Sequence, residues 1–385
     1  MIKIGSTFEG AVKDLSSDGR GVISHPTGRT FFVPGVWLHE RGTFRVTGLK
    51  GRIGFAEILE LSQDSLHDAR GQAQCQHHGY SEQHCGGCPW QFIAYEQQLE
   101  AKQARVHLAM SRLGVEPALQ NIVPATQPMA YRNRAQFKTD GKKIGYLAAK
   151  SNTLVDIKSC PVLSTINQKT FAALRQQLPQ SAWKPVKRKP WTSLDIDESV
   201  SAEHPSINAR LPFQQANVDQ NEFMRKWLAE ILSTSTAQSA VELFCGSGNL
   251  TEVLAASKLA NILAVEAVDS ALDQLKAKKL PGVESQKCNL FSDREFEKMA
   301  VQIKKAELLL LDPPRDGLCI RAPLFSKKSV LQEVIYISCD LATFSRDLRD
   351  FLDNGFEALE IQPLDMFPQT PHVEILAHLK KSKRG

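Results

Sequence analysis

The stretch Glu333-Val334-Ile335-Tyr336-Ile337-Ser338-Cys339-Asp340-Leu341-Ala342-Thr343-Phe344-Ser345-Arg346-Asp347 decides how the chain is read. Its first half is apolar and rich in β-branched and aromatic residues, the mark of a buried strand, and it stops abruptly at Ser338-Cys339. From Leu341 the apolar residues stand at 341, 344, 348, 351 and 352, which is helical spacing, with Asp340 or Thr343 as the candidate N-cap. Cys339 is therefore expected at the carboxyl end of a strand, just before a helix N-terminus, where open α/β sheets bind ligands. A helix dipole at that position favours a thiolate, the reactive form of cysteine. The bland alternative is a small hydrophobe in the core, so the surrounding motifs have to decide.

The same strand-then-turn pattern recurs upstream. Ala240-Val241-Glu242-Leu243-Phe244 reads as a buried strand leading into Cys245-Gly246-Ser247-Gly248-Asn249 and a helix from Leu250. Ile262-Leu263-Ala264-Val265 ends in Glu266, and Leu308-Leu309-Leu310-Leu311 ends in Asp312-Pro313-Pro314-Arg315. Strands near 356–362 and 373–379 close the chain, so residues 206–385 are expected to form a doubly wound α/β domain. Glycines after the first strand let the backbone close on a ligand, and an acid at the second strand end suits ribose hydroxyls. The loop is Gly-x-Gly rather than Gly-x-Gly-x-x-Gly, which favours a nucleoside cofactor, S-adenosylmethionine, over a dinucleotide.

Residues 1–62 alternate short β-rich runs with turns at Ser17-Asp18-Gly19, Pro26-Thr27-Gly28 and Lys50-Gly51. A small five-stranded barrel of the oligonucleotide-binding type is expected, with Arg20, Arg29, Phe31, Phe32 and Arg41 available to a single-stranded nucleic acid. Residues 63–205 form a second region. It opens with Cys75, Cys85 and Cys88 in a C-x9-C-x2-C pattern, interleaved with His77, His78 and His84, and Cys160-Pro161 supplies a fourth thiol downstream. This spacing admits zinc on three Cys and a His or on four Cys, and equally an iron–sulfur cluster on four thiolates. An amphipathic helix is expected over 91–114, and a hairpin carrying Arg132, Arg134 and Lys138 among aromatics over 131–146, suited to phosphate and base contacts. The proline-rich and basic stretch 176–205 reads as a loop-rich joint, and 380–385 as a frayed basic tail.

With 385 residues, 42% hydrophobic and 23% charged, the chain is expected to be a globular protein of two or three domains. Its net charge of +5 permits a polyanionic partner without demanding one. No apolar run reaches membrane-spanning length and Met1-Ile2-Lys3-Ile4-Gly5 lacks a signal-peptide pattern, so a cytoplasmic, monomeric protein without membrane contact is expected. Eight cysteines then read as metal ligands, catalytic groups or core rather than disulfides.

Taken together, Cys85-x-x-Cys88, Phe213-x-Gln215-x-Asn217, Leu243-Phe244-Cys245-Gly246-x-Gly248-Asn249, Asp312-Pro313-Pro314-Arg315, Ser338-Cys339 and His372-x-Glu374 resemble the 5-methyluridine RNA methyltransferases over nearly the whole chain. The resemblance implies a multidomain α/β protein. Residues 1–62 would be a TRAM barrel, 63–205 a central α+β cluster-binding and RNA-binding domain, and 206–385 a Rossmann-like class I methyltransferase. It implies a four-iron, four-sulfur cluster on Cys75, Cys85, Cys88 and Cys160, and S-adenosylmethionine among Gln215, Phe244, Asn249, Glu266, Asn289 and Asp312. It gives Cys339 the role of nucleophile towards uracil C6 and Glu374 that of general base, with Arg315 or Gln215 at the uracil carbonyls. RNA is the implied partner, ribosomal (23S) ahead of transfer RNA. An amino-directed methyltransferase and a non-catalytic iron–sulfur RNA-binding protein are the other readings. Asp340-Leu341 stands where the family usually has Asn-Pro, and a carboxylate there is expected to raise the Cys339 pKa.

Overall fold

The computed structural model describes residues 2–209, 211, 214–318, 324–325 and 328–382. Phe213 of the Phe-x-Gln-x-Asn motif and the tail residues Lys383, Arg384 and Gly385 lie outside them. The chain divides into two compact units, each discontinuous in sequence. One comprises Met1–Ala101, Gln127–Leu211 and Phe367–His372; the other comprises Lys102–Thr126, Pro212–Met366 and Val373–Gly385.

The first unit begins with β1 (Thr7–Ala11), β2 (Asp14–Leu15), β3 (Gly21–Ser24), β4 (Thr30–Val33), β5 (Arg41–Lys50) and β6 (Ile53–Leu61). They form a sheet in the order β1-β5-β6-β4-β3-β2, antiparallel except for the β4–β6 pair. Six strands thus stand where five are expected, because Asp14 and Leu15 pair briefly with β3 after the chain leaves β1. Along β5, Gly42, Phe44 and Val46 are buried in alternation, the period of a half-buried strand. Phe31 is not an RNA-facing ring: it is fully buried, 4.5 Å from Phe8 between centroids. The period of two instead turns its neighbour Phe32 towards Arg20, whose guanidinium sits 5.1 Å from the Phe32 and Phe55 rings.

Helix α1 (Tyr95–Ser111) is shorter than the sequence suggests. Phe92 precedes it and instead joins Trp37, Trp90 and Ile93 in a small core. A second sheet of the first unit holds β7 (Arg134–Thr139), β8 (Ile144–Leu147), β9 (Leu154–Asp156), β10 (Thr192–Asp197) and β11 (Ser206–Ile207), ordered β11-β10-β7-β8-β9. The expected hairpin is the β7–β8 pair. Helix α2 (Thr165–Gln176), N-capped by Ser164, stacks Phe171 on Phe137 at 4.4 Å. The stretch 176–205 is not merely loop: β10 runs inside it. Its acids disguise it, since buried Asp195 is bridged by Arg134 at 2.7 Å while Leu194 and Ile196 face the core.

The second unit is the expected doubly wound sheet: β12 (Ser239–Leu243), β13 (Asn261–Glu266), β14 (Val283–Lys287), β15 (Leu308–Leu311), β16 (Glu333–Ser338), β17 (Phe356–Leu364) and β18 (Glu374–Lys381). The order is β14-β13-β12-β15-β16-β18-β17, with β18 antiparallel to both its neighbours. The order reverses between β12 and β15, the switch point at which open α/β sheets bind ligands. Helices α3 (Val218–Thr234), α4 (Thr251–Ala255), α5 (Asp269–Ala277), α6 (Asp293–Ile303) and α7 (Leu341–Asp353) accompany it. Helix α7 buries Phe344, Leu348 and Phe351, three of the five apolar positions in its repeat. Strand β18 continues to Lys381, so the first residues of the basic end are paired rather than frayed.

Candidate active site

Register carries the expected residues of the second unit to one edge of its sheet. Leu243 pairs with both Leu311 and Val265, which sets Phe244, Asp312 and Glu266 side by side at the carboxyl ends of three parallel strands. Ser338 pairs with Ile375 across the antiparallel β16–β18 ladder, so Cys339 and Glu374 are the next opposing residues. A cross-strand neighbour of this kind lies about 5 Å away.

Electrostatics confirm the proximity. Burial, then the charges of Glu374 and Asp312, push the Cys339 thiol up to about 12, while Arg315 and a backbone hydrogen bond act the other way. Burial, with a further push from Asp312, raises Glu374 well above the usual carboxylate range, again opposed by Arg315. Asp312 is raised to about 7 by burial. The helix-favoured thiolate is therefore not the resting form: desolvation and two carboxyl groups outweigh one helix N-terminus. Asp340 does not cause this. Its carboxylate caps α7, accepting from the Ala342 and Thr343 amides at 3.0 and 2.9 Å. The residue that replaces the family's Asn thus keeps the N-cap, and its charge is spent on the helix end.

The loop after β12 closes tightly. Phe244 adopts a left-handed φ of 64°, and Glu266 accepts the Gly246 amide at 3.1 Å and those of Ala267 and Val268 at 2.7 and 3.0 Å. Asn249 exchanges side-chain hydrogen bonds with Asn221 of α3, 2.8 and 3.2 Å, and its carbonyl accepts from Arg225. Asn289 accepts the Phe291 amide at 3.1 Å, and the ring of half-exposed Phe291 stands 5.9 Å from that of Phe244. Gln215 lies on the segment leading into α3. A side chain at Gly246 would meet nothing within 4 Å, so the loop borders open space. Aromatic faces, a carboxylate at the second strand end and open space suit a purine nucleoside.

Sequence reading missed Glu242. It is 2% exposed on β12, and burial raises it to about 8. A side-chain hydrogen bond with Thr251, buried at the start of α4, pulls the other way. The signal was present: an acid inside an otherwise apolar strand, two residues before Phe244.

In the first unit, Cys75, Cys85, Cys88 and Cys160 line one small pocket together with His77, His78 and Tyr146. Burial first, then neighbouring thiols, raises Cys88 to about 12 and Cys160 to about 11. The interleaved histidines have other partners. His77 Nε2 accepts the Lys158 amide at 2.8 Å, His84 Nδ1 meets Ser81 Oγ at 2.7 Å, and His78 Nε2 lies 3.3 Å from the Tyr80 hydroxyl. Among the described residues, no group of three or more His, Cys, Asp or Glu side chains is arranged to hold a metal ion. Nor, among them, is any helix long and apolar enough to cross a membrane.

Residues 206–382 match the family described as tRNA (uracil-5-)-methyltransferase. Over 383 residues the chain is 39% identical to an uncharacterized RNA methyltransferase of Nitrosomonas europaea, covering 97% of each. The chain belongs to the RNA uracil-C5 methyltransferases. A further member, the 23S rRNA (uracil(1939)-C(5))-methyltransferase of Shewanella sediminis, is 28% identical over 428 residues, covering 95% of this chain and 94% of its own. The fold matches the Pyrococcus abyssi tRNA (uracil-54, C5)-methyltransferase solved with S-adenosyl-L-homocysteine, at a TM-score of 0.69 and 22% identity, over 96% of this chain and 99% of that one. The chain is thus an S-adenosylmethionine-dependent uracil-C5 methyltransferase acting on RNA.

Proposed function

We propose that this uracil-C5 methyltransferase modifies a uridine of 23S ribosomal RNA in the cytoplasm through a covalent adduct of Cys339. The observation that carries the reading is the β16–β18 register, which opposes Cys339 and Glu374 beside Asp312 and Arg315. Uracil C5 is a weak nucleophile. Addition of the Cys339 sulfur to C6 makes an enolate, and C5 of that enolate takes a methyl group. S-adenosylmethionine supplies that methyl as an electrophile, with Phe244, Asn249, Glu266, Asn289, Asp312 and Gln215 as the residues assigned to hold it. Glu374, as the carboxylate, then removes the C5 proton; the C6–S bond breaks, the C5–C6 double bond returns, and Cys339 is released. Arg315 is the cation that favours the ionised forms of both groups, and it is the group assigned to offset the enolate charge. A stacked target uridine has to be flipped out first.

The four thiols around one cavity support a four-iron, four-sulfur cluster on Cys75, Cys85, Cys88 and Cys160. Four thiols on one pocket, with Pro161 following Cys160, favour four-thiolate ligation, and zinc with His77 or His78 of the same pocket is the alternative. The N-terminal sheet (residues 1–62) and the β7–β8 hairpin within 63–205 are assigned to RNA, and 206–385 to catalysis. Ribosomal RNA is favoured over transfer RNA by the 28% identity to a 23S rRNA enzyme, against a likeness of fold at 22% identity to the transfer-RNA enzyme.

Two substitutions test the adduct. Cys339→Ala should form none, whereas Glu374→Gln should attack, transfer labelled methyl and stall before elimination. Its RNA adduct should then survive denaturing electrophoresis. Release of methylated RNA by Glu374→Gln at the wild-type rate would exclude Glu374 as the base. Mapping 5-methyluridine in ribosomal and transfer RNA of cells lacking the gene decides the target.

A further inference from the structure

The turn that carries Asp312 and Arg315 is gripped by the helix that starts beside the nucleophile. Three residues on one face of α7, at i, i+3 and i+4, reach it. Thr343 Oγ1 donates to the Arg315 carbonyl at 3.0 Å. Arg346 Nη2 donates to the carbonyls of Asp316 and Leu318 at 2.9 and 3.2 Å. Asp347, fully buried, accepts the Leu318 amide at 2.7 Å and the Tyr336 hydroxyl at 2.6 Å through Oδ2, and Arg346 Nε at 2.8 Å through Oδ1. Between these contacts lies Gly317, at φ 67° and closed by a 2.8 Å bond from its amide to the Pro314 carbonyl. A Cβ there would meet Asp347 Oδ2 at 2.6 Å, Arg346 Nη2 at 2.8 Å and Thr343 Cβ at 3.0 Å. The turn is seated in that face with no room for a side chain.

We propose that Thr343, Arg346 and Asp347 are positioning residues for methyl transfer. They fasten the Asp312–Leu318 turn to α7, so that Arg315 and Cys339 keep one mutual geometry. Tyr336 extends the clamp into β16, so strand, nucleophile, helix and turn form one rigid piece. Helix α7 begins at Leu341, two residues after Cys339, and a shift of the turn along it moves the cation away from the sulfur. A misplacement of about 1 Å costs about a hundredfold in rate. The inference rests on Cys339 as the nucleophile.

The test uses the full-length protein and four variants: Asp347→Asn, Gly317→Ala, Thr343→Ala and the rescuing Thr343→Ser. Thr343→Ala removes one exposed-side contact and leaves the buried network, so it provides a folded variant where Gly317→Ala fails to fold. The first readout is the rate of iodoacetamide labelling at Cys339 against pH, followed by mass spectrometry of its peptide. The second is the division of any activity loss between kcat and KM for RNA. Asp347→Asn and Thr343→Ala should move the labelling profile to higher pH and lower kcat by about ten- to a hundredfold, with KM within about threefold. Thr343→Ser should restore both. Wild-type labelling and kcat in folded Asp347→Asn and Thr343→Ala, with only a lower Tm, would overturn the proposal. The labelling profile does not depend on the reaction, so a failure of the nucleophile reading shows separately, as activity surviving in Cys339→Ala.

Discussion

The two units each bury cysteine and raise its pKa, yet they prepare it for different chemistry. In the first unit the neighbours of a thiol are other thiols, and burial with those neighbours raises Cys85, Cys88 and Cys160 alike. In the proposed function such a set gives up its protons together, to a cluster that accepts several thiolates at once. In the second unit a single thiol faces two carboxyls and an arginine. There the proton has somewhere to go, and the cation can stabilise the anion that remains. Burial alone does not separate a ligand from a nucleophile; the company of the sulfur does.

The largest expected effect breaks the comparison at one end. Cys339→Ser should reduce methyl transfer by about 10⁴-fold or more while leaving iron and sulfide content unchanged, because its role ends with the thiolate. Cys88→Ser should do the reverse at first order, abolishing the roughly equal iron and sulfide of anaerobically prepared protein. Zinc without sulfide in the wild type would overturn the cluster. Next comes the proton balance at the edge. Cys339 is a thiol at neutral pH, so its labelling by iodoacetamide should rise about tenfold per pH unit towards its value near 12. Asp312→Asn removes a charge that opposes the thiolate and should speed labelling several-fold at pH 8; slower labelling would contradict the assignment.

The smallest effect is on stability. Glu242 binds its proton more tightly folded than unfolded, with a value near 8 against an ordinary 4.5. Its contribution is therefore complete at pH values below about 4.5 and is lost as pH rises through about 8, at up to about 1.4 kcal/mol per unit. Glu242→Gln, of the same shape, should flatten the fall in Tm between pH 5 and pH 8. An unchanged slope would show that Glu242 ionises without cost in the fold.

Much of the catalytic sheet was legible because its strands are unambiguous. Leu308–Leu311 and Glu333–Ser338 are wholly buried, and a wholly buried strand is written as an unbroken apolar run. Strand β14 was not legible: Val283–Lys287 is an edge strand whose residues are all exposed or half-exposed, so selection for apolar character is weak there. Strand β10 was missed for the opposite reason, since its central position is hidden by an aspartate that only a distant arginine makes tolerable. Phe31 was misplaced by composition, because two adjacent aromatics in a strand must face opposite ways. The clamp on the Asp312–Leu318 turn was invisible, as hydrogen bonds to carbonyls leave no trace in residue type beyond a single glycine.

The β16–β18 ladder has a consequence for how such a chain can vary. The rungs of the ladder, and not the connecting chain, measure the distance of the Glu374 carboxyl group from the sulfur. A slip of one rung is a different matter. The side-chain period is two, so it would turn Glu374 to the far face of the sheet while leaving nearly every backbone hydrogen bond re-formed. The ladder thus behaves as a two-position ruler, intolerant of a shift within it.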